Sequence, residues 1–463
     1  MLNNFLNLEL LNISLSYPFL FLITTAIVLL LCSGFWKFHR SFYIGISSLS
    51  LIVSAFLILN NANAQGLEAK AFLATLNNDI VSFYASLVIL CFSFLYLLMQ
   101  KEENQGEFYA LFLFMIASLL LMVSSSNLVL IFIGLESSSL ALYTLIAMRG
   151  SDNAISSAIK YFSIAAVGAG FFVMAVAFIY LKTGTLDLSS ANLALKNEFQ
   201  KDLMLLGAGV MIFVLCAIKL SLTPFHFWLK DVYYAAHTNL VAFISVVPKV
   251  AMLVVVIRLF DFLNNTGFEY IIIVLAIFSM LIGAFAALSQ NNIKKMFAYS
   301  SVVHSSLVLI ACIPLLKEQN FDGILLAIFG YWTLFAFANY AVFMILSNYE
   351  NNSYESLNGL LVKKPLIAFC LSISVLSLAG IPPFGVFWGK FMILNTVILN
   401  GYWYLALFVA LSSVIMLYAY LKILIHVLFM KNDRVYNIKF SFIQNFILAF
   451  CVCVSTFAIL LML

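Results

Sequence analysis

Five ionisable side chains interrupt stretches of sequence that hold little else polar: Glu136, Lys219, Lys249, His304 and Lys390. A charge at the centre of a bilayer costs about 2.5–3.5 kcal/mol on insertion scales, so it needs a partner, a water-filled cavity or a function. The chemistry open to this set is proton transfer. Burial disfavours the charged form of an acid or an amine, and a nearby opposite charge restores it. An acid and an amine whose separation changes can therefore load and release a proton, and imidazole can pass one between its two nitrogens. Glu136 lies near mid-span and is followed by Ser137, Ser138 and Ser139. Lys219 stands five residues before Pro224, Lys249 directly after Pro248, and Lys390 just after Gly380-Ile381-Pro382-Pro383-Phe384-Gly385. Proline removes a backbone donor and opens a helix, leaving carbonyls that can hold water beside an amine. The pattern is three lysines next to three helix breaks.

Each residue also has a plainer reading. Glu136 could form a permanent ion pair between helices, and a lysine can snorkel towards a surface, the expectation for Lys422. His304 and His226 could be satisfied donors, and Lys160, early in its helix, a relay residue or an interface residue. No Walker motif and no GxGxxG is present, so energy must come from an ion gradient or a partner. The seven cysteines form no CxxC, which leaves no iron–sulfur, haem or metal motif and no disulfide framework. A net charge of +4 without a basic patch gives no nucleic-acid signature.

The elements that must position these residues are membrane helices. Charged residues make up 9% of the chain and hydrophobic ones 64%, against about 25% charged in a soluble domain. Apolar runs of about 18 residues or more recur throughout, each long enough to span a bilayer. They predict an all-α polytopic membrane protein of fourteen helices: 13–36, 42–62, 79–99, 107–123, 125–148, 154–182, 203–228, 237–260, 269–289, 296–315, 321–348, 365–397, 402–430 and 440–462. The longest polar stretch, 183–202, reads as a loop. The start of the chain has no basic segment before its first apolar run, so no cleaved signal peptide is expected. Loop lysines and arginines number twelve on one side (Lys37 to Lys439, Lys294 among them) and six on the other (Lys70 to Lys317). Positive charge marks the cytoplasmic side, which puts both termini outside. An imperfect repeat relates Pro224-Phe225-His226-Phe227-Trp228-Leu229-Lys230 to Pro383-Phe384-Gly385-Val386-Phe387-Trp388-Gly389-Lys390. Broken helices at corresponding positions of two halves point to a transport site.

Several of these segments resemble one family. Lys219-Leu220-Ser221-Leu222-Thr223-Pro224-Phe225-His226-Phe227-Trp228 with Asp231-Val232-Tyr233, and Lys294-Lys295-Met296-Phe297-Ala298-Tyr299-Ser300-Ser301 with His304, are similar to motifs of the antiporter-like subunits. That family covers three large membrane subunits of complex I and subunits of multi-subunit Na⁺/H⁺ antiporters. Ile381-Pro382-Pro383 and the chain length resemble the N type of complex I. The likeness extends over most of the chain beyond about residue 105. It implies two inverted five-helix repeats, 106–262 and 263–432, between N-terminal helices in 1–105 and a C-terminal helix in 433–463. It also implies that Glu136 modulates Lys219, that Lys249 is a central lysine and Lys390 a terminal one near an exit, and that His304 bridges those two. The expected activity is non-redox proton translocation in a bacterial plasma membrane. Cofactors would lie not in this chain but in partners: flavin, iron–sulfur clusters and quinone in the other membrane and peripheral subunits, with sister antiporter-like subunits alongside. A Na⁺/H⁺ antiporter subunit and a non-conducting membrane scaffold are the rival expectations. Two departures from the family pattern, Tyr234-Ala235-Ala236-His237 and Pro248, mark places where local geometry is expected to differ.

Overall fold

The structure is a computed structural model, and it describes residues 12–102, 104–195, 202–263, 268–317, 321–349, 352–431 and 440–458. Among these, the helices are α1 (Tyr17–Phe35), α2 (Arg40–Gln65), α3 (Ile80–Met99), α4 (Gly106–Ser124), α5 (Leu128–Ala147), α6 (Asp152–Thr183), α7 (Leu188–Leu195), α8 (Leu203–Leu220), α9 (Phe227–Ala235), α10 (Thr238–Leu263), α11 (Phe268–Leu288), α12 (Ile293–Cys312), α13 (Phe321–Leu346), α14 (Leu360–Lys363), α15 (Pro365–Ala379), α16 (Gly385–Leu399), α17 (Trp403–Leu428) and α18 (Phe442–Phe457). Twelve are long and apolar enough to cross a membrane. Two shorter ones, α15 and α16, occupy the span predicted at 365–397, and α18 occupies the last one. The cations Lys196, Lys201, Arg434 and Lys439, counted above for orientation, lie outside the described residues, as do the first eleven residues and the last five.

Polar side chains punctuate the helices where the sequence permits. Asn127 caps α5 by accepting from the Val129 and Leu130 amides, and Asp79 caps α3 through the Ser82 amide at 2.7 Å. Such caps satisfy donors that a helix start leaves without partners. The predicted span 203–228 divides: α8 ends at Leu220, Ser221 takes a left-handed φ of 61°, and α9 begins at Phe227. The second break runs over Gly380–Phe384. Pro248 behaves differently from the expectation. It sits inside α10, which continues through it. Proline is tolerated in membrane helices because neighbouring groups take up the freed backbone positions, and α10 is buried along nearly its whole described length. A short hairpin, β1 (Ala69–Ala71) and β2 (Leu76–Asn78), pairs antiparallel between α2 and α3.

The chain forms two compact units. The first contains residues 1–219 and 247–266. In it α4 packs against α1 and α5, and α5 packs against α6. Helices α4 and α5 approach closely at Gly134, where an added Cβ would stand 2.8 Å from the Ser118 carbonyl oxygen and from Met122 Cβ. Arg258 forms an ion pair with Asp79 at 3.0 Å and also donates to the Ser125 carbonyl. The second unit contains residues 220–246 and 267–463. There α11 packs against α12 and α17, and α13 against α15, α16 and α18. Helix α12 is its core, with every residue but Lys295 buried.

Candidate proton-transfer site

In the first unit, the break after Leu220 leaves Lys219 in the last turn of α8. Its Nζ donates to Ser139 Oγ on α5 at 2.6 Å, and Ser139 Oγ in turn donates to the Leu135 carbonyl at 2.6 Å. Residues three apart on a helix are neighbours, so Ser139 stands one turn from Glu136. The lysine is thus bonded to the hydroxyl beside the acid. Glu136 Oε1 is buried and has no hydrogen-bond partner. The Tyr161 ring centroid lies 6.0 Å from Lys219 Nζ, within reach of a cation–π interaction. A cavity of about 30 Å³ opens at this point, lined by Ser138, Ser139, Tyr161, Lys219, Pro248 and apolar side chains including Met252. That is roomy enough for water, and its polar lining gives water partners. Lys249, 2% exposed, follows Pro248 on α10 in the same unit. Lys160 is exposed on α6.

In the second unit, His304 is 3% exposed on α12 and uses both ring nitrogens. Nδ1 shares a hydrogen bond with the Tyr331 hydroxyl of α13, and Nε2 one of 3.0 Å with the Tyr420 hydroxyl of α17. Tyr420 also bonds Ser300 Oγ at 2.5 Å. Lys390, in the first turns of α16, reaches back across the Gly380–Phe384 break. Its Nζ donates to the carbonyl of Ala379, the last residue of α15, at 3.0 Å and to Ser413 Oγ at 3.4 Å. The free carbonyls at a helix C-terminus carry about half a negative charge, which gives this ammonium a backbone counter-charge. Gly380 makes the approach possible. Its φ is +82°, and an added Cβ would meet Lys390 Nζ at 2.9 Å. His304, Lys390, Ser412, Ser413 and Tyr420 line one further cavity, of about 10 Å³, with Met280, Val409 and Met416.

A family profile described as "NADH:quinone oxidoreductase/Mrp antiporter, TM" matches residues 125–416. The NADH-quinone oxidoreductase subunit N of Campylobacter jejuni (strain RM1221) is 99% identical over 463 residues, the whole of both chains. The chain belongs to the N-subunit family of NADH-quinone oxidoreductases. The subunit N of Campylobacter lari is 51% identical, with 99% of each chain covered. A chain of respiratory complex I from Thermus thermophilus shares the fold, with a TM-score of 0.81 at 24% identity, over 95% of this chain and 97% of that one.

Within this N-subunit fold the five residues singled out from the sequence fall into two groups. Glu136, Lys219 and Lys249 belong to the first unit, and His304 and Lys390 share a cavity in the second. His226 is buried and shares a hydrogen bond of 3.3 Å with Thr223, as expected of a satisfied histidine. Sequence reasoning missed the hydroxyls that bond these residues: Ser139, noted only for following Glu136, bonds Lys219, while Tyr331 and Tyr420 bond His304 and Ser413 bonds Lys390. It also misplaced Lys294. Counted as a loop cation, Lys294 is 2% exposed and donates to the carbonyls of Tyr234 (3.1 Å) and Ala236 (2.6 Å) at the end of α9.

Proposed function

We propose that this chain is a proton-translocating membrane subunit of a bacterial NADH-quinone oxidoreductase, without redox chemistry of its own. Near identity to a subunit N along its full length carries this reading. The geometry fits it: half-buried amines bonded to hydroxyls at cavities of water size, with imidazole bridging two tyrosines. In this reading, redox energy released in partner subunits changes the Glu136–Lys219 coupling through Ser139, and protons pass by way of Lys249, His304 and Lys390. The broken helices at 221–226 and 380–384 support treating 106–262 and 263–432 as two repeats. Flavin, iron–sulfur clusters and quinone belong to the partner subunits, and sister antiporter-like subunits are neighbours in the membrane. Lys160, exposed on α6, reads better as an interface residue than as a relay. The loop-charge excess supports plasma-membrane placement with both termini outside, and removing Lys294 from the count lowers the larger side only from twelve to eleven.

The test is proton pumping by inverted membrane vesicles carrying the assembled complex, with electron transfer measured alongside. Glu136→Gln and Lys390→Ala should each lower protons moved per electron while NADH-to-quinone turnover persists in uncoupled vesicles. Unchanged pumping in both variants would overturn the role assignment. Co-purification with antiporter subunits and no redox subunit would move the reading to a Na⁺/H⁺ exchanger.

A further inference from the structure

Helices α11 and α17 pack against each other in the second unit, and each carries a continuous stripe along its seam. On α11 the stripe is Glu269, Ile273, Ala276 and Met280, at steps of four, three and four. On the α17 side it is Tyr402, Leu405, Val409, Ser412, Met416 and Tyr420, at steps of three or four. Such steps keep residues on one face of a helix. Met280, Val409, Ser412, Met416 and Tyr420 line the cavity shared by His304 and Lys390. At the other end of the seam Tyr402, 3% exposed, donates its hydroxyl to Glu269 Oε1 at 2.7 Å. Glu269 and Met280 are eleven residues apart, about 16 Å along the helix. The intervening stretch is wholly apolar and closed: Ile273 6%, Ala276 0%, Leu405 0% and Val409 2% exposed. Tyr270, Trp403 and Tyr404 adjoin the polar end in sequence, the aromatic composition of a membrane–water boundary.

Resting on the proposed proton-transfer reading, we propose that Glu269, held by Tyr402, is the outer proton-release residue for the His304–Lys390 cavity, and that the apolar stretch formed by Ile273, Ala276, Leu405 and Val409 is the gate between them. When the gate hydrates, the Lys390 ammonium gives its proton to water and becomes a neutral amine. The water chain protonates the Glu269 carboxylate, and the carboxyl then passes that proton to outside water and returns to its anion. Closing of the gate isolates Lys390 before its next proton arrives. Tyr402, which donates to the anion, is a positioning residue.

Glu269→Gln separates titration from structure, because the amide oxygen still accepts from Tyr402 but takes no proton. In vesicles carrying the assembled complex, Glu269→Gln should lower protons moved per electron to the level of Lys390→Ala, and Glu269→Asp should restore most of the loss. Native-gel assembly of each variant identifies any that fail to form the complex, and Ala276→Ser, which adds one hydroxyl inside the gate, gives a second readout: increased passive proton leak in vesicles without NADH. Unchanged pumping in Glu269→Gln together with loss in Lys390→Ala overturns this inference alone. Unchanged pumping in both overturns the proton-transfer reading beneath it.

Discussion

Gly380→Ala is the substitution whose consequence follows most directly from the geometry of Lys390. Two costs are separable. A side chain at φ +82° carries the left-handed penalty, about 1–2 kcal/mol. The new methyl would also stand 2.9 Å from Lys390 Cδ and Nζ. A lysine side chain yields more easily than backbone, so the ammonium moves and loses its bond to the Ala379 carbonyl at 3.0 Å. A hydrogen bond to a charged group is worth about 1.5–3 kcal/mol. Gly184→Ala is the control, because Gly184 has φ +67° with nothing within 4 Å of an added Cβ. It suffers the strain without the displacement. The difference corresponds to roughly a 10- to 100-fold smaller population of Lys390 in its observed place, at about 1.36 kcal/mol per tenfold. The assay is the initial rate of NADH-driven acidification in inverted vesicles, restricted to the part that Lys390→Ala removes. That part should fall about tenfold or more in Gly380→Ala and little in Gly184→Ala, while both variants lower the thermal midpoint of the purified complex. Equal pumping by the two glycine variants would refute the reasoning.

Three further outcomes are expected. Ser139→Ala removes the acceptor 2.6 Å from Lys219 and should lower pumping nearly as far as Lys219→Ala does, with Ser139→Thr keeping most of it in the same assay. Tyr420→Phe removes the hydroxyl 3.0 Å from His304 Nε2 and bonded to Ser300 Oγ. A buried polar atom left unsatisfied costs about 1–3 kcal/mol, so the thermal midpoint of the complex should fall. Arg258→Met leaves Asp79 and the Ser125 carbonyl without their shared cation, and limited proteolysis should then cut faster around residues 66–80 than in the unaltered chain.

The charged residues and the second helix break were legible because both are local. A lone charge in an apolar run and Gly380 followed by two prolines need no tertiary information. Pro248 was misread for the same reason. Proline signals a break by its missing donor, but whether the helix opens depends on what surrounds it, and the sequence does not display the packing that buries α10 along nearly its whole described length. Tyr331 and Tyr420 left no mark, and Ser139 stood out only as one of three serines after Glu136, because a hydroxyl in a membrane helix is ordinary until its neighbour across the interface is known. Lys294 stood next to the accessible Lys295, and only the packing of α9 against α12 distinguishes the two. The hairpin at 69–78 was too short for its alternation to stand out between two long helices.

The Ala379 carbonyl that faces Lys390 gives the site an unusual kind of memory. A carboxylate counter-ion can accept the proton its lysine gives up, and the pair then falls neutral together. A peptide carbonyl cannot. In the proposed cycle, when the amine discharges, the negative end of α15 stays as it was, still drawing positive charge to the same spot. The vacated nitrogen is therefore set for recharging by a field that no step of the cycle can exhaust, and no acid residue need be spent or restored to keep it there.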